Sequence, residues 1–421
     1  MDTGDTAWVL ISTALVMLMT PGLAFFYAGM TRTKNVVSTL FQNFAALGVV
    51  GILWLVCGYT LAFGTKGFGF LGSFDYTFLN GVGQEPFADY SSTIPHVLFM
   101  LFQCMFAVIT PILITGAIAE RVKFTGLLVF TGLWSLIVYS PVAHWVWGVG
   151  GFIRTLGGID FAGGMVVHMT AGFSAIMAVI LLGKRKDFEK VTMKPYDVGM
   201  VLLGTALLWF GWFGFNAGSA LGANGLAAHA FATTFFASAA CMVTWMIMEY
   251  IRRGKPSAMG AGVGAVAGLV AITPAAGFVT FSSALIIGIS AGVICNLAIS
   301  LIKEKFHLDD SLDVIGCHGV GGTLGTIMTA IFASKAVNPA GADGAIYGDF
   351  TLLKAHLIGS LAVATFSLVG TFVVFKVANA LVGMRVSESD ENIGLDASQH
   401  DEEINSNFSP EVKKQNKERV A

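Results

Sequence analysis

Long runs of apolar residues, separated by shorter polar loops, occupy most of the first 383 residues of the chain. Each run has roughly 20 residues or more, which is the length that an α-helix needs to cross a bilayer. The pattern predicts an all-α membrane protein with eleven transmembrane helices. The predicted spans are 6–29, 36–63, 95–119, 124–147, 161–183, 198–215, 226–248, 258–278, 281–302, 314–333 and 351–383.

Basic residues are distributed unevenly between the loops on the two sides of this arrangement. The loops that follow odd-numbered helices contain fourteen Lys and Arg residues, whereas the opposite loops contain four. Because cytoplasmic loops are enriched in Lys and Arg, we expect a multi-pass protein of the plasma membrane with its N-terminus outside. Asp2 and Asp5 precede the first span, where a signal peptide would have basic residues, so this span is predicted to be a retained helix.

The composition narrows the class of protein further. Hydrophobic residues make up 55% of the chain and charged residues only 12%, which is about half of the usual charged fraction. With a net charge of −2, the chain does not have the composition of a soluble enzyme, a nucleic-acid binder or a disordered scaffold. The five cysteines form no CxxC motif, so neither a disulfide framework nor a metal site is predicted, and no cofactor is expected.

Two segments of the chain resemble each other at an offset of 150 residues. Residues 160–168 read DFAGGMVVH and residues 310–318 read DSLDVIGCH, and a glycine follows each histidine by four residues. The match pairs helix 5 with helix 10, and a weaker match pairs helix 1 with helix 6. Because five helices per half is an odd number, the halves, roughly 6–183 and 198–333, are predicted to form an inverted repeat, which is typical of transporters.

The same comparison indicates the domain organisation. Helix 11, at 351–383, lies outside the repeat and completes a transmembrane domain over residues 1–383. Residues 384–421 are polar and are predicted to form a cytoplasmic C-terminal tail that is partly disordered.

His168 and His318 are symmetry-related ionisable residues inside predicted helices 5 and 10. An ionisable group at this depth is a candidate functional residue, and a neutral pair of imidazoles can pass protons. The alternative is a pair of satisfied core histidines that bridge helices. Asp160 and Asp310 stand at or before the N-termini of the same helices, where a capping role is favoured. Asp160 is also predicted to lie on the outer side.

Aromatic residues and one serine form a second candidate site. An aromatic cluster with a hydroxyl group can bind a small cation through cation–π attraction and a hydrogen bond. The alternative is an aromatic belt or ordinary core packing. The candidate residues are Phe102, Phe106, Trp147, Trp212, Phe215 and Ser219.

Several longer motifs closely resemble the ammonium transporter family (Amt/Mep/Rh), and its Amt branch in particular. The resemblance covers nearly the whole chain as far as about His400. The motifs are FQCMFAVITPILITGAIAER at 102–121, AHWVWGVGG at 143–151, DFAGGMVVH at 160–168, LLWFGWFGFNAGSAL at 207–221, DVIGCHGVGGTLGT at 313–326 and GLDASQH at 394–400.

This resemblance implies a homotrimer in which each subunit has its own narrow pore for ammonium or ammonia. It assigns an outer ammonium-recruiting site to Phe102, Phe106, Trp147 and Ser219. It assigns a gate to Phe106 and Phe215, with Trp212 beside it, and a twin-histidine pair to His168 and His318. Asp160 becomes a vestibule aspartate with a mainly structural role. The tail departs from the family pattern after His400, which puts its docking and its control by a PII-type regulator in doubt.

Other functions stay open on the sequence alone. Electrogenic ammonium uptake and passive ammonia conduction share the same residues, and an ammonium sensor would act through the tail. A membrane oxidoreductase with bis-histidine haem is a rival reading of two buried histidines. A carrier of another small solute is a further alternative.

Overall fold

Eleven helices form the membrane domain of the computed structural model, which describes residues 1–191 and 193–404. The predicted all-α membrane fold is confirmed, and each predicted span corresponds to one helix. Ten of the helices are long and apolar enough to cross a membrane, and α8 is a shorter apolar helix. The helices are α1 Thr3–Met30, α2 Thr33–Phe63, α3 His96–Ala117, α4 Phe124–Thr155, α5 Gly164–Leu182, α6 Val198–Gly218, α7 Gly225–Arg253, α8 Ala258–Ile272, α9 Phe281–Lys305, α10 Ile315–Phe332 and α11 Thr351–Val382.

Some helix ends differ from the predicted ones for local reasons. Helix α8 ends at Ile272 rather than at residue 278, just before the proline at position 274, which has no backbone N–H to donate to a continuing helix. Helix α7 continues to Arg253, since its last turn is polar and no longer has to lie in hydrocarbon. A short antiparallel hairpin, β1 Pro86–Phe87 and β2 Ser91–Pro95, lies between α2 and α3 and was not predicted.

Helices α1 and α6, which the weaker sequence match relates as equivalent helices of the repeat, pack closely against each other. A methyl group on Gly29 would lie 2.8 Å from the side chain of Val201, and one on Gly204 would meet the backbone of Phe26. The indole nitrogen of Trp8 donates a hydrogen bond to the carbonyl of Ala217, 3.2 Å away. Small residues allow this approach, which is a common way for membrane helices to associate.

We call the side of the domain that holds Thr3 the N-terminal face and the opposite side, where α11 ends, the C-terminal face. A buried ion network ties loops of both halves together on the C-terminal face. The Arg185 guanidinium lies 2.8 Å from Glu120 and 2.7 Å from Asp309, and Arg121 lies 3.9 Å from Asp309. Glu120 also pairs with Arg32 at 2.9 Å.

The charges of this network stabilise one another. Burial alone would raise the pKa of Glu120, but the Arg185 and Arg32 guanidinium groups hold it below its ordinary value. Burial also opposes ionisation of Asp309, yet its hydrogen bond with Arg185 and the charge of Arg121 lower its pKa as well. Burial lowers the pKa of Arg121 to about 10, so this guanidinium remains charged at neutral pH.

The first part of the tail folds against the C-terminal face. Two short helices, α12 Glu388–Ile393 and α13 Leu395–His400, follow α11. The Asp396 carboxylate accepts a hydrogen bond from the backbone N–H of Ser38 at 2.7 Å, so it caps the α-helical part of α2, which begins at Val36. The tail is therefore folded as far as His400. Partial disorder was predicted for the tail at 384–421, and residues 405–421 of that tail lie outside the described residues.

Candidate functional site

A cavity of about 210 Å³ opens on the N-terminal face between α3, α4 and α6. It includes all four residues to which the resemblance assigns ammonium recruitment. The cavity is lined by Phe63, Asp89, Tyr90, Phe99, Phe102, Gln103, Phe106, Trp147, Arg154, Asp160, Phe161, Ser219 and Leu221. We refer to it as the outer cavity.

Phe106 is the centre of the aromatic cluster at this cavity. Its ring centroid lies 5.1 Å from that of Phe102, one helical turn earlier on α3. The Trp147 ring meets it edge-on at 5.7 Å, and the Phe215 ring lies 4.3 Å away at an angle of 32°. The faces of aromatic rings attract cations, and the rings of Phe102, Phe106 and Trp147 line this cavity.

Hydrogen bonds fix the two polar neighbours of the cluster. The Trp147 indole donates to the backbone carbonyl of Asp160 at 2.9 Å. The Ser219 hydroxyl, just beyond the end of α6, donates to the carbonyl of Phe215 at 2.8 Å. Because the hydrogen of Ser219 is used in that bond, its oxygen is left as an acceptor, which suits a ligand with N–H donors.

Phe106 and Phe215 separate the outer cavity from a smaller one deeper in the domain. This inner cavity has a volume of about 10 Å³, which is close to the space that one water-sized molecule needs. Apart from two histidines, its wall is apolar. It is lined by Met19, Leu23, Ile109, Leu113, Val167, His168, Leu208, Trp212, Phe215, Val266 and His318.

His168 and His318 face each other at the inner cavity, as the repeat predicts. Their Nδ1 atoms are 3.2 Å apart, and their rings lie 5.2 Å apart at 26°. The His168 ring also stacks on Trp212 at 5.5 Å, and Trp212 is held by a 2.9 Å hydrogen bond to Thr273. Within the described part of the chain, the Nε2 atom of His168 has no hydrogen-bond partner, so one ring nitrogen is left for a ligand.

Each histidine lies on an irregular first turn of its helix. The π-helical segments Gly164–Met169 and Ile315–Val320 begin α5 and α10. Such wide turns are rare and are frequent at functional sites. The sequence does not predict these turns, because their periodicity differs from that of an α-helix over only a few residues.

The two aspartates of the repeat cap these turns. The Asp160 carboxylate accepts hydrogen bonds from four successive backbone N–H groups, of residues 163–166, at 2.7 to 3.3 Å. Gly163 adopts a left-handed conformation with φ of 116°, which a residue with a side chain rarely adopts. Asp310 accepts from two N–H groups of α10, those of Val314 and Ile315, at 3.1 and 2.7 Å. Asp160 also lines the outer cavity. Its carboxylate is stabilised mainly by these four backbone hydrogen bonds, which favours a structural role.

Glycines bring the two histidine helices into contact. A methyl group on Gly172 would lie 2.8 Å from the carbonyl carbon of His318 and closer still to Gly319. In the symmetry-related position, a methyl group on Gly322 would lie 2.8 Å from the Cβ of His168. The 3.2 Å separation of the imidazoles therefore depends on the absence of side chains at these positions.

The remaining histidines have structural partners or are exposed. His144 bonds the carbonyls of Ala62 and Phe68, and His356 bonds a carbonyl and a backbone N–H at 2.8 and 3.2 Å. His96 contacts the Tyr59 hydroxyl at 2.6 Å. All five cysteines are free.

Some polar residues of the outer cavity were not predicted. Gln103 follows Phe102 directly, and its amide within the apolar stretch from residue 97 to residue 109 is the signal that identifies it. Asp89 lies in the turn of the hairpin and Arg154 in the last turn of α4, at positions that only the folded structure brings to the cavity.

The geometry of the histidine pair does not suit a bis-histidine iron site. Metal–nitrogen bonds of about 2 Å place two opposite ligand nitrogens about 4 Å apart. The Nδ1 atoms are 3.2 Å apart and contact each other directly. In residues 1–191 and 193–404, no group of three or more His, Cys, Asp or Glu side chains is arranged to hold a metal ion.

Known proteins are similar to this chain over nearly its whole length. The ammonium transporter of Bacillus subtilis (strain 168) is 48% identical over 402 residues, which is 96% of this chain and 98% of that protein. Ammonium transporter Amt1 of Archaeoglobus fulgidus is 44% identical over 403 residues, covering 96% of this chain and 99% of the other.

Solved structures agree with this result. Saccharomyces cerevisiae Mep2 superposes with a TM-score of 0.86 at 36% identity, covering 92% of this chain and 91% of that one. A sensor Amt protein superposes with a TM-score of 0.85 at 30% identity, covering 94% and 98% of the two chains. The model of the Ammonium Transporter Family matches residues 7–404. The chain therefore belongs to the ammonium transporter family, whose members are transporters rather than enzymes.

Proposed function

We propose that this protein transports ammonium into the cell by binding NH4+ in the outer cavity, removing a proton and passing NH3 through the apolar inner cavity. The observation that carries this proposal is the order of the sites along one path. Acceptor and aromatic groups come first, then the Phe106–Phe215 pair, and then the apolar inner cavity with its two imidazoles.

The outer cavity suits the charged form of the substrate. Phe102, Phe106 and Trp147 supply ring surfaces there, and the Ser219 oxygen is free to accept an N–H hydrogen bond. Coulomb attraction alone does not distinguish between cations of similar size and charge. The hydrogen bond is directional and therefore favours a cation that has N–H donors.

The inner cavity suits the neutral form. A cation placed deep in the bilayer without polar partners is costly, by at least about 3 kcal/mol and by more in some treatments. Apart from the two imidazoles, the wall of this cavity is apolar and has little to offer a charge. Ammonia avoids this cost, and the directly hydrogen-bonded His168 and His318 offer a route along which the proton crosses separately.

Orientation, assembly and regulation complete the proposal. The fourteen basic residues on the C-terminal face support a cytoplasmic location for it, in the plasma membrane. The resemblance to the family supports a homotrimer, which native mass spectrometry in detergent tests directly. We extend the proposal to a PII-type regulator at the C-terminal face, although the tail departs from the family pattern after His400, because the preceding helices α12 and α13 are folded against the membrane domain.

Current measurements on proteoliposomes test the transport proposal. We expect pulses of ammonium to evoke inward charge movement on a solid-supported membrane with the native protein. His168→Ala, which removes one half of the imidazole pair, is expected to abolish the current. His307→Ala is the matched control, since this exposed histidine pairs with Glu189 far from both cavities.

The same measurement separates the alternatives. Ammonia uptake that raises the internal pH without current indicates a passive channel. Binding of ammonium without uptake indicates a sensor. Full current in a folded His168→Ala protein, with a native elution volume in gel filtration, refutes the relay.

A further inference from the structure

Gln103 is a buried polar residue of the outer cavity. It lies on α3 between Phe102 and Phe106, it is 9% exposed, and it lines the cavity. Its side-chain oxygen has no hydrogen-bond partner among the described residues.

The other polar side chains of α3 are satisfied. The hydroxyls of Thr110 and Thr115 donate to backbone carbonyls at 2.6 and 2.8 Å, and His96 contacts the Tyr59 hydroxyl. A buried amide oxygen without a partner is unfavourable, and native proteins have few such groups. The position of Gln103 thus calls for a ligand that enters the cavity.

We propose that the side-chain oxygen of Gln103 accepts a hydrogen bond from the ammonium ion bound in the outer cavity. This inference rests on the proposed function, and it adds a binding residue to that site. Ammonium has four N–H donors, and Ser219 supplies a single acceptor oxygen. Gln103 supplies a second one on α3, so that more of the lost hydration is replaced.

The chemistry of the side chain suits this role. The carboxamide makes no hydrogen bond to the described protein, so it is free to turn its oxygen toward a cation. An amide oxygen attracts the cation through its dipole but does not take up its proton at neutral pH, so it does not trap the substrate as a carboxylate can. The residue therefore favours small cations that have at least two N–H donors.

Two variants with opposite chemistry test the proposal. Gln103→Leu keeps the approximate size of the side chain and removes the acceptor, whereas Gln103→Glu keeps an acceptor oxygen and adds charge. We expect Gln103→Leu to raise the KM of the ammonium-evoked current about tenfold, as the loss of one hydrogen bond to a charged group does. The maximal current is expected to change little, because Gln103 lies outside the inner cavity. Gln103→Glu is expected to have a KM at or below the native value.

Met105→Leu is the control, since this neighbouring side chain does not line the cavity. A native KM in Gln103→Leu overturns the proposal. So does an equal rise of KM in both Gln103 variants, because this result indicates packing rather than acceptance of a hydrogen bond.

Calorimetric titration of the same proteins in detergent with ammonium chloride separates this inference from the transport proposal. If the native protein binds ammonium but gives neither current nor uptake, transport fails. Gln103 is then judged by the Kd, which is expected to rise about tenfold in Gln103→Leu and not in Gln103→Glu. If the native protein neither binds nor moves ammonium, both proposals are overturned.

Discussion

Gly172→Ala is expected to separate the two histidines without altering either of them. Gly172 lies on α5, one turn after His168, and contacts the backbone of α10 at His318 and Gly319. The added methyl group has no flexible side chain to displace, because the atoms it meets belong to the backbone. The helices therefore have to move apart.

The size of the movement follows from the contacts. The methyl group would lie 2.8 Å from the carbonyl carbon of His318 and closer to Gly319, whereas ordinary contacts begin near 3.4 Å. A shift on the order of 1 Å relieves the overlap, because close-packed interiors have little free space to absorb it. The same shift lengthens the 3.2 Å Nδ1–Nδ1 hydrogen bond beyond bonding distance. Misplacement by about 1 Å can reduce a rate about 100-fold, and overpacking of this kind costs about 1–3 kcal/mol of stability.

Ammonium-evoked current in proteoliposomes, together with the thermal unfolding midpoint in detergent, measures both effects. Gly48→Ala is the matched control, because a methyl group at Gly48 in α2 has no atom within 4 Å. We expect a large loss of current in Gly172→Ala and a native current in Gly48→Ala. A folded Gly172→Ala protein with native current would show that conduction does not require direct contact of the imidazoles.

Three further predictions follow from other parts of the molecule. Asp309→Asn leaves the buried Arg185 with one carboxylate fewer, so a loss of about 3–5 kcal/mol is expected as a lower thermal unfolding midpoint; an unchanged midpoint contradicts this estimate of the network. Asp89→Asn removes an exposed carboxylate from the outer cavity and is expected to raise the KM for ammonium about 2-fold at low ionic strength but not at high salt. Glu85→Gln, on the same hairpin but outside the cavity lining, is the control, and an effect that persists in high salt contradicts simple attraction. Burial lowers the pKa of His400, so the docked tail favours the neutral imidazole and is expected to loosen as the pH falls below about 6.5. Hydrogen exchange of α12 and α13 at pH 7.5 and 5.5 measures this change, which His400→Phe is expected to remove.

The spans and the pairing of the halves could be predicted from the sequence because they depend on long patterns. About 20 consecutive apolar residues define a helix almost irrespective of context. The offset of 150 residues likewise relates His168 to His318 before any coordinates are known, and their Nδ1 atoms are indeed in contact.

Several details of the candidate site could not be predicted from the sequence. The π-helical turns at Gly164–Met169 and Ile315–Val320 depend on a few hydrogen bonds that have no distinct residue pattern. Asp89 reaches the outer cavity from a loop whose path is determined by tertiary contacts. Tail order as far as His400 also depends on long-range partners, since Ser38 is more than 350 residues away from Asp396.

The contacts between the two halves bear on the kind of motion that accompanies turnover. Rocking of one repeat against the other, as in many carriers with inverted repeats, would have to open the Gly172–Gly319 contact and the Arg121–Asp309 pair at once. These contacts hold the two halves together at the centre of the domain and on its C-terminal face. They favour conduction through a membrane domain whose helices keep their positions. The moving parts of the proposed path are then side chains such as Phe106 and Phe215 rather than whole domains, which move in microseconds to milliseconds. On the proposed mechanism, ring motion and proton transfer would then set the time that each molecule takes to cross, rather than a change of shape of the protein.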